Sequence, residues 1–212
     1  MQFLFQGVEA VTQSVDLDSM RELKNGLREQ AHERRNAQVN KDELSIIICN
    51  KLMETSEYMN ANSILWYVDV RSEVRTRQHL GKALEQQKKI VVPFCVDGFL
   101  QLFHLTSMDE LSLGKYRILE PRADLRDLPE KKINPDTLDL VVVPGVGFDI
   151  RGARMGHGFG YYDKLLEHVR SGIPLIALAF DCQIFQEIPV APHDVFMTRV
   201  LTETTVYPLF KS

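Results

Sequence analysis

The sequence has few cysteines, no excess of positive charge and no long apolar run. Its 212 residues include three cysteines, Cys49, Cys95 and Cys182, whose spacing suggests neither a metal site nor a disulfide framework. Lys plus Arg number 25 against 29 Asp plus Glu, and this net charge of −4 argues against a general nucleic-acid-binding surface. No apolar run approaches the roughly 18 residues of a transmembrane helix. These absences favour a cytoplasmic protein with reduced thiols and no membrane partner.

The N-terminus lacks the basic start and long apolar segment of a secretory signal. It contains FLFQG at residues 3–7, which is similar to the remnant of a protease recognition site. We therefore expect residues 1–19 to be a tag or disordered leader, with Met20 as the native start. The remaining residues, 20–212, are predicted to form one domain, because their length is ample for a single hydrophobic core.

The order of apolar runs predicts an α/β fold. Residues 138–145 and 173–180 are continuous apolar runs, typical of buried parallel strands. A glycine-rich loop and a predicted helix at 161–170 lie between them, so the three elements form a βαβ unit and indicate a doubly wound sheet. The other predicted helices are 18–37, 42–59 and 73–87, and the other predicted strands are 63–68, 89–94, 99–105 (antiparallel to a neighbour) and 115–121.

The glycine-rich loop predicts a phosphate site at the carboxyl end of a strand. Gly145, the first of its six glycines, ends the 138–145 run, and ligands of open α/β sheets bind at this end of the strands. Glycine lets a ligand approach backbone amides, and a helix N-terminus favours an anion. Arg154 adds positive charge, and Asp163 calls for a bridging cation such as Mg²⁺. A purely structural loop is the alternative, since the spacing fits neither a Walker A loop nor a dinucleotide fingerprint.

The stretch 142–166 reads VVPGVGFDIRGARMGHGFGYYDKLL and resembles the signature of the 5-formyltetrahydrofolate cyclo-ligase family, also called methenyltetrahydrofolate synthetases. The shared features are a Pro-Gly pair, a Phe-Asp pair, an arginine, alternating glycines and a final Gly-Tyr-Tyr-Asp. Weaker similarity in KNGLR (24–28), SEVRT (72–76), ILEP (118–121) and residues 178–197 extends the resemblance over about residues 20–205. Phe159 departs from the pattern, which usually has Gly or Lys there, and His157 stands where Tyr or Arg is frequent.

This resemblance implies a three-layer αβα fold with a mostly parallel sheet, similar to that of sugar-phosphate isomerases and CoA transferases. It also implies that 5-formyltetrahydrofolate and ATP give 5,10-methenyltetrahydrofolate, ADP and phosphate. Phosphorylation would turn the formyl oxygen into a good leaving group, so the protein mainly has to position groups and neutralise charge. The expected partners are the folate substrate, ATP and Mg²⁺, and the expected state is a monomer or weak dimer.

The resemblance also implies roles for individual residues. The phosphates would contact Lys24, Arg28, Arg154, Met155, Gly156, His157, Gly158, Phe159, Gly160, Tyr161 and Tyr162. Mg²⁺ would be held by Asp163 and Asp194. The folate pocket would be lined by Val68, Val70, Glu73, Tyr116 and Tyr161, with the Glu73 carboxylate accepting hydrogen bonds from the pterin ring. Arg154 and Tyr161 would be catalytic, with Tyr161 beside the formyl group.

Ordinary structural interpretations stand beside these roles. Lys24 and Arg28 lie one turn apart on a charged helix, which is typical of a solvated face. Glu73 could cap the next helix, Asp194 could form an Asx-turn, and Asp149 is expected to form a turn rather than bind a ligand. For the whole protein, the alternatives are a non-catalytic folate- or nucleotide-binding regulator and an ATP-independent enzyme such as a sugar-phosphate isomerase.

Overall fold

The computed structural model describes residues 17–114, 118–191 and 194–208. The α-helices are α1 (Leu17–Ala37), α2 (Lys41–Met53), α3 (Ser56–Asn60), α4 (Arg77–Glu85) and α5 (Tyr161–Leu166). The strands are β1 (Ser63–Leu65), β2 (Lys89–Val96), β3 (Phe99–Leu105), β4 (Leu111–Leu113), β5 (Leu119–Pro121), β6 (Leu140–Val143), β7 (Gly147–Asp149), β8 (Arg154–Met155), β9 (Leu175–Leu178), β10 (Ile184–Phe185), β11 (Arg199–Leu201) and β12 (Val206–Tyr207). No described helix is long and apolar enough to cross a membrane.

The fold is organised around a seven-stranded sheet in the order β12-β11-β9-β6-β1-β2-β3. Its five inner strands are parallel to one another. The two edge strands, β3 and β12, are antiparallel to their neighbours. The predicted α/β class, the mostly parallel sheet and the antiparallel strand at 99–105 are therefore confirmed.

Both faces of the central strands are buried, which explains why their sequences are continuously apolar rather than alternating. In β6, Val142 packs in the core that includes Leu52 of α2. The adjacent Val141 points to the opposite face, in the core that includes Leu165 of α5. Helices therefore cover both faces of the sheet. A third, smaller core joins Ala31 of α1 to a three-stranded sheet in the order β10-β7-β8.

Several elements are shorter than their sequence patterns predicted. The predicted helix at 42–59 is two helices, because the Thr55 side chain accepts a hydrogen bond from the Tyr58 amide (3.2 Å) and caps the start of α3. Helix α4 begins only at Arg77, where Asp69 Oδ1 accepts the amide protons of Thr76 (3.0 Å) and Arg77 (3.1 Å). Helix α5 ends at Leu166 instead of residue 170. The described part of the predicted strand 115–121 is β5, which pairs with β4.

Candidate active site

The candidate site lies at the carboxyl ends of the adjacent parallel strands β1 and β6. The chain continues from β1 to β2 on one side of β1, whereas β6 and β9 lie on the other side. This reversal is a topological switch point, the place where open α/β sheets bind ligands. Residues 66–76 follow β1 and residues 144–160 follow β6, so the fold brings both predicted binding segments to one crevice.

The turn after β6 is held rigidly by two buried side chains. The carbonyl oxygen of Gly145 accepts hydrogen bonds from Arg35 Nη1 and from Gln183 Nε2, each at 3.1 Å. A Cβ atom on Gly145 would lie 2.3 Å from Cζ of Phe148, so no larger residue fits there. Burial lowers the pKa of Arg35, and the nearby Glu73 carboxylate opposes that shift. The start of the glycine loop is therefore fixed before any ligand arrives.

Most of the predicted glycine loop is a β-hairpin rather than an irregular segment. Strands β7 and β8 pair antiparallel, and Asp149 forms the turn between them. Its Oδ1 accepts from the amides of Arg151 and Ala153, both at 2.9 Å, while Oδ2 accepts from the Ile188 amide at 3.0 Å. The prediction that Asp149 forms a turn is confirmed, and only residues 156–160 remain as a loop before α5.

The predicted phosphate-binding cations from distant segments come together at this loop. Arg28 Nε of α1 donates to the carbonyl oxygen of Gly156 at 3.0 Å, and its guanidinium lies beside Gly158. Burial lowers the pKa of Arg28, while the nearby carboxylates of Asp163 and Asp194 oppose that change. Arg28 is therefore half-buried against the glycine loop and near both predicted metal ligands, rather than on a fully solvated helix face.

Two ion pairs place the other cations against the predicted metal ligands. Lys24 Nζ lies 2.6 Å from Asp194 Oδ2, and that oxygen also accepts from the Ala191 amide at 2.8 Å. Arg154, whose side chain is 6% exposed, pairs with Asp163 through Nη2 and Oδ1. Two of the three predicted phosphate-binding cations, Lys24 and Arg154, are thus each paired with a predicted magnesium ligand. Within the described ranges, no group of three or more His, Cys, Asp or Glu side chains is arranged to hold a metal ion.

Glu73 lies in the segment after β1, next to the glycine loop. Its side chain is buried, Oε2 accepts from the Val70 amide at 3.0 Å, and Oε1 lies 3.7 Å from His157 Nε2. The imidazole of His157 in turn packs on that of His32, with ring centroids 5.3 Å apart. Because α4 is capped by Asp69 and begins only at Arg77, the alternative in which Glu73 caps this helix is wrong.

The remaining predicted site residues differ in their burial and packing. Val68 is buried in the core on the α2 side of the sheet and Val70 is partly buried, while Tyr116 lies outside the described residues. The Met155 side chain belongs to the small core, and its carbonyl oxygen accepts from the Val146 amide at 2.8 Å. Phe159 is 70% exposed, and its ring stacks on Tyr161 with centroids 5.7 Å apart.

Arg35 and Gln183 are site residues that the sequence patterns did not predict. Arg35 is 1% exposed and also donates from Nε to Ser72 Oγ at 3.0 Å, which ties α1 to the segment after β1. A signal was present, because Lys24, Arg28, Ala31 and Arg35 recur at helical spacing on one face of α1. Gln183 Oε1 accepts from the Phe180 amide at 3.0 Å, and Nε2 donates to the carbonyl of Val146 at 2.9 Å.

Comparison with known sequences identifies the family of this chain. The sequence profile described as the 5-formyltetrahydrofolate cyclo-ligase family matches residues 20–203. The chain belongs to this family. It is 31% identical over 191 residues to the 5-formyltetrahydrofolate cyclo-ligase of Mus musculus, covering 85% of this chain and 93% of the mouse protein. It is also 31% identical over 150 residues to the cyclo-ligase of Mycolicibacterium smegmatis, covering 68% of this chain and 75% of that protein.

Solved structures agree with this assignment. The fold matches the 5,10-methenyltetrahydrofolate synthetase of Aquifex aeolicus with a TM-score of 0.76 and 28% identity, covering 90% of this chain and 94% of that one. It also matches the synthetase of Mycoplasma pneumoniae with a TM-score of 0.67 and 22% identity, over 85% and 98% of the two chains. At that lower identity, the second match supports the fold alone.

Proposed function

We propose that this chain is an ATP-dependent ligase that cyclises 5-formyltetrahydrofolate to 5,10-methenyltetrahydrofolate with release of ADP and phosphate. The observation that carries this proposal is that the carboxyl ends of β1 and β6 bring a cationic loop and the buried Glu73 carboxylate next to each other. A nucleoside triphosphate requires positive charge at its phosphates, and a pterin requires a hydrogen-bond acceptor for its N–H groups. Membership of the cyclo-ligase family names the reaction that combines them.

The phosphates of ATP would bind against residues 154–162 and the cations of α1. Helix α5 has only six residues, so its dipole is a small contribution and the side-chain charges matter more. Lys24, Arg28 and Arg154 supply three positive charges from two segments of the chain. Gly156 and Gly158 leave their amides open to a ligand, since glycine has no Cβ to keep the phosphate away.

The residues present fit a magnesium ion. Asp163 and Asp194 are the carboxylates at this wall, and Mg²⁺ is usually held by one or two carboxylates together with phosphate oxygens and water. Both carboxylates now pair with Arg154 and Lys24. Binding of Mg-ATP would exchange these pairs, so that the cations contact the phosphates and the carboxylates contact the metal. The metal would neutralise charge on the transferred phosphoryl group.

The pterin ring would bind beside Glu73. Its amino-pyrimidinone edge presents N–H donors, and a buried carboxylate is an acceptor for them. Val68 and Val70 precede Glu73 on the same segment and would contact the flat ring. Because Glu73 and Arg154 lie in the segments that follow β1 and β6, the two strands that flank the switch point, the folate and the phosphates would meet between them.

The protein contributes to the reaction by orienting the two substrates and by stabilising charge. Arg154 and Arg28 would stabilise the phosphoryl group as it passes from ATP to the formyl oxygen. The N10 nitrogen of the folate then attacks the formyl carbon and loses its proton to solvent, and the C–O bond breaks to release phosphate. Positioning of the formyl oxygen near the γ-phosphate is expected to supply much of the rate enhancement.

The proposed function is tested by assaying the purified protein for conversion of 5-formyltetrahydrofolate. We expect 5-formyltetrahydrofolate, ATP and Mg²⁺ together to yield 5,10-methenyltetrahydrofolate, followed by its absorbance, with ADP formed in equal amount. Reactions without ATP, and reactions with Arg154→Ala, serve as controls. Saturating binding of both ligands without any product would instead identify a non-catalytic regulator. The cytoplasmic location and the monomeric or weakly dimeric state remain part of this proposal.

A further inference from the structure

The buried side chain of Arg35 contacts both segments that form the candidate site. Arg35 lies in the last turn of α1 and is 1% exposed. Its Nη1 donates to the carbonyl oxygen of Gly145 at 3.1 Å, in the turn that follows β6. Its Nε donates to Ser72 Oγ at 3.0 Å, in the segment after β1 and one residue before Glu73. One guanidinium therefore links the segment that carries the predicted pterin ligand to the start of the glycine loop.

Stability alone does not explain a charged residue at this position. Both hydrogen-bond acceptors of Arg35 among the described residues are neutral oxygens, whereas a buried charge is usually compensated by an opposite charge in direct contact. Burial lowers the pKa of the guanidinium, and the Glu73 carboxylate is the strongest influence in the opposite direction. Apolar packing is available on this face of α1, since Ala31, one turn earlier, is fully buried in the small core.

The relative position of the two segments matters because the proposed reaction joins two substrates. Glu73 would hold the pterin, and the glycine loop would hold the phosphates. Phosphoryl transfer is fast only when the reacting atoms are held about 3–3.5 Å apart, and a displacement of about 1 Å can lower the rate about 100-fold. A side chain that fixes one segment against the other therefore influences the rate without contacting either substrate.

We propose that Arg35 is a positioning residue that aligns the folate-binding segment with the phosphate-binding loop. This inference rests on the proposed function and adds to it a residue that is too deeply buried to touch a substrate. Arg35 acts through Ser72 on the segment that carries Glu73, and through the Gly145 carbonyl on the glycine loop. Its effect is on the alignment of the two bound substrates, and thus on kcat.

Each segment keeps a contact of its own when Arg35 is replaced. Gln183 Nε2 donates to the same Gly145 carbonyl at 3.1 Å, so the loop remains anchored. The Val70 amide donates to Glu73 Oε2 at 3.0 Å, so the predicted pterin ligand also remains anchored. Loss of Arg35 should therefore change the binding of each substrate less than it changes the rate of their reaction.

The variant Arg35→Lys tests the alignment, because lysine keeps the positive charge but lacks the planar fork that reaches both acceptors. We expect kcat to fall about 10-fold or more, with the KM for 5-formyltetrahydrofolate and the KM for ATP close to the wild-type values. The rate is expressed per folate-binding site, counted by calorimetric titration, so that unfolded protein does not lower the apparent kcat. Arg199→Lys is the matched control, since Arg199 pairs with Glu57 at the amino end of β11, away from the crevice. It should keep the wild-type kcat.

The variant Ser72→Ala removes one end of the link and leaves the guanidinium in place. We expect kcat to fall about 5-fold, the equivalent of one hydrogen bond, again with little change in either KM. In the Arg35→Lys background the same substitution should have no further effect, because residues that act as one unit are not additive. Ser72 is only partly buried, so this variant also provides the test if Arg35→Lys does not fold, and an unchanged kcat would then refute the proposal.

Three other results would overturn the alignment role and leave the enzyme assignment intact. They are a wild-type kcat for Arg35→Lys, a rise in one KM as large as the fall in kcat, and fully additive losses in the double variant. The second result would show that Arg35 supports one binding site rather than the alignment of both. If the wild-type protein forms no 5,10-methenyltetrahydrofolate, the proposed function and this inference are both refuted.

Discussion

The Arg154 guanidinium pairs with the Asp163 carboxylate across the glycine loop, nine residues along the chain. Arg154 is the more buried partner, at 6% exposure against 48% for Asp163. Its Nη1 also lies 3.4 Å from the carbonyl oxygen of Pro144, which points the side chain back toward the end of β6. This pair joins a predicted phosphate ligand to a predicted metal ligand. Under the proposed function, binding of Mg-ATP would separate the pair, so that Arg154 contacts the phosphates and Asp163 contacts the metal.

Arg154→Ala should reduce kcat/KM by about 100-fold or more, because a preorganised donor to the transferred phosphoryl group would be lost. Arg154→Lys should recover part of the rate, since it keeps the charge but not the planar donor fork. The control is Arg122→Ala, which removes an exposed arginine paired with Asp124 in another loop. The values of kcat/KM are measured by steady-state kinetics with both substrates. Near-wild-type kinetics of Arg154→Ala would remove Arg154 from the site.

Asp163→Asn should raise the Mg²⁺ concentration needed for half-maximal rate. Removing a residue that hydrogen-bonds to a metal ligand typically weakens metal affinity by about 10-fold or more. Removing the charge of a ligand itself should weaken the affinity at least as much. The rate is measured against free Mg²⁺ at saturating ATP, with the exposed Asp136→Asn as control. An unchanged Mg²⁺ dependence would show that Asp163 serves only to hold Arg154.

The sheet was largely predictable because buried parallel strands leave a distinctive pattern. Residues 138–145 and 173–180 are apolar on both faces, and they contain β6 and β9. Helix and strand ends were less predictable, because tertiary contacts decide them. Asp69 fixes the start of α4 by accepting hydrogen bonds from the amides of Thr76 and Arg77, and nothing in the sequence of 73–77 indicates that a carboxylate seven residues before Thr76 does so.

The residues of the candidate site were named from the glycine-loop pattern and the resemblance, but the pairing of their side chains was not predicted. The resemblance indicated Lys24, Asp163 and Asp194, yet only the folded chain places Lys24 on Asp194, 170 residues away. Similarly, Tyr161 and Tyr162 are equivalent in the sequence. Their different environments depend on the rotation of α5 about its axis, which is set by the packing of Leu165 and Leu166 against the sheet.

Glu73→Gln should raise the KM for the folate about 10-fold or more, because hydrogen bonds to a charged acceptor are stronger than those to an amide. The KM for ATP should change far less. The amide oxygen still accepts from the Val70 amide, so the local backbone is kept. Glu57→Gln is the control, since Glu57 of α3 pairs with Arg199 of β11, away from the crevice. Equal effects on both KM values would contradict a role in pterin binding.

Phe159→Lys should lower the KM for ATP, by about 3-fold, because it adds an exposed positive charge beside the phosphates. Phe159 is 70% exposed, so the substitution sacrifices little packing beyond the contact with Tyr161. The gain should shrink as ionic strength rises, because salt screens exposed charges. Phe159→Leu removes the ring without adding charge and separates the two effects. A KM for ATP that is unchanged at low salt would place Phe159 away from the phosphates.

Gly145→Ala should destabilise the protein by about 2 kcal/mol, because a new Cβ would lie 2.3 Å from the buried ring of Phe148. Phe148 cannot move easily, since it is fully buried in the core on the α5 side of the sheet. The Gly145 backbone cannot move easily either, since Arg35 and Gln183 hold its carbonyl oxygen. The strain therefore reaches the start of the catalytic loop, and kcat should fall together with the thermal midpoint.

The matched substitution Gly26→Ala separates this clash from the general effect of replacing a glycine. Gly26 lies within α1, and a Cβ there meets nothing within 4 Å. Alanine is the better helix former by about 1 kcal/mol, so Gly26→Ala should raise the thermal midpoint and leave kcat unchanged. The thermal midpoints of both variants are compared by thermal unfolding. Equal midpoints for Gly145→Ala and the wild-type protein would mean that the turn after β6 is more compliant than its hydrogen bonds indicate.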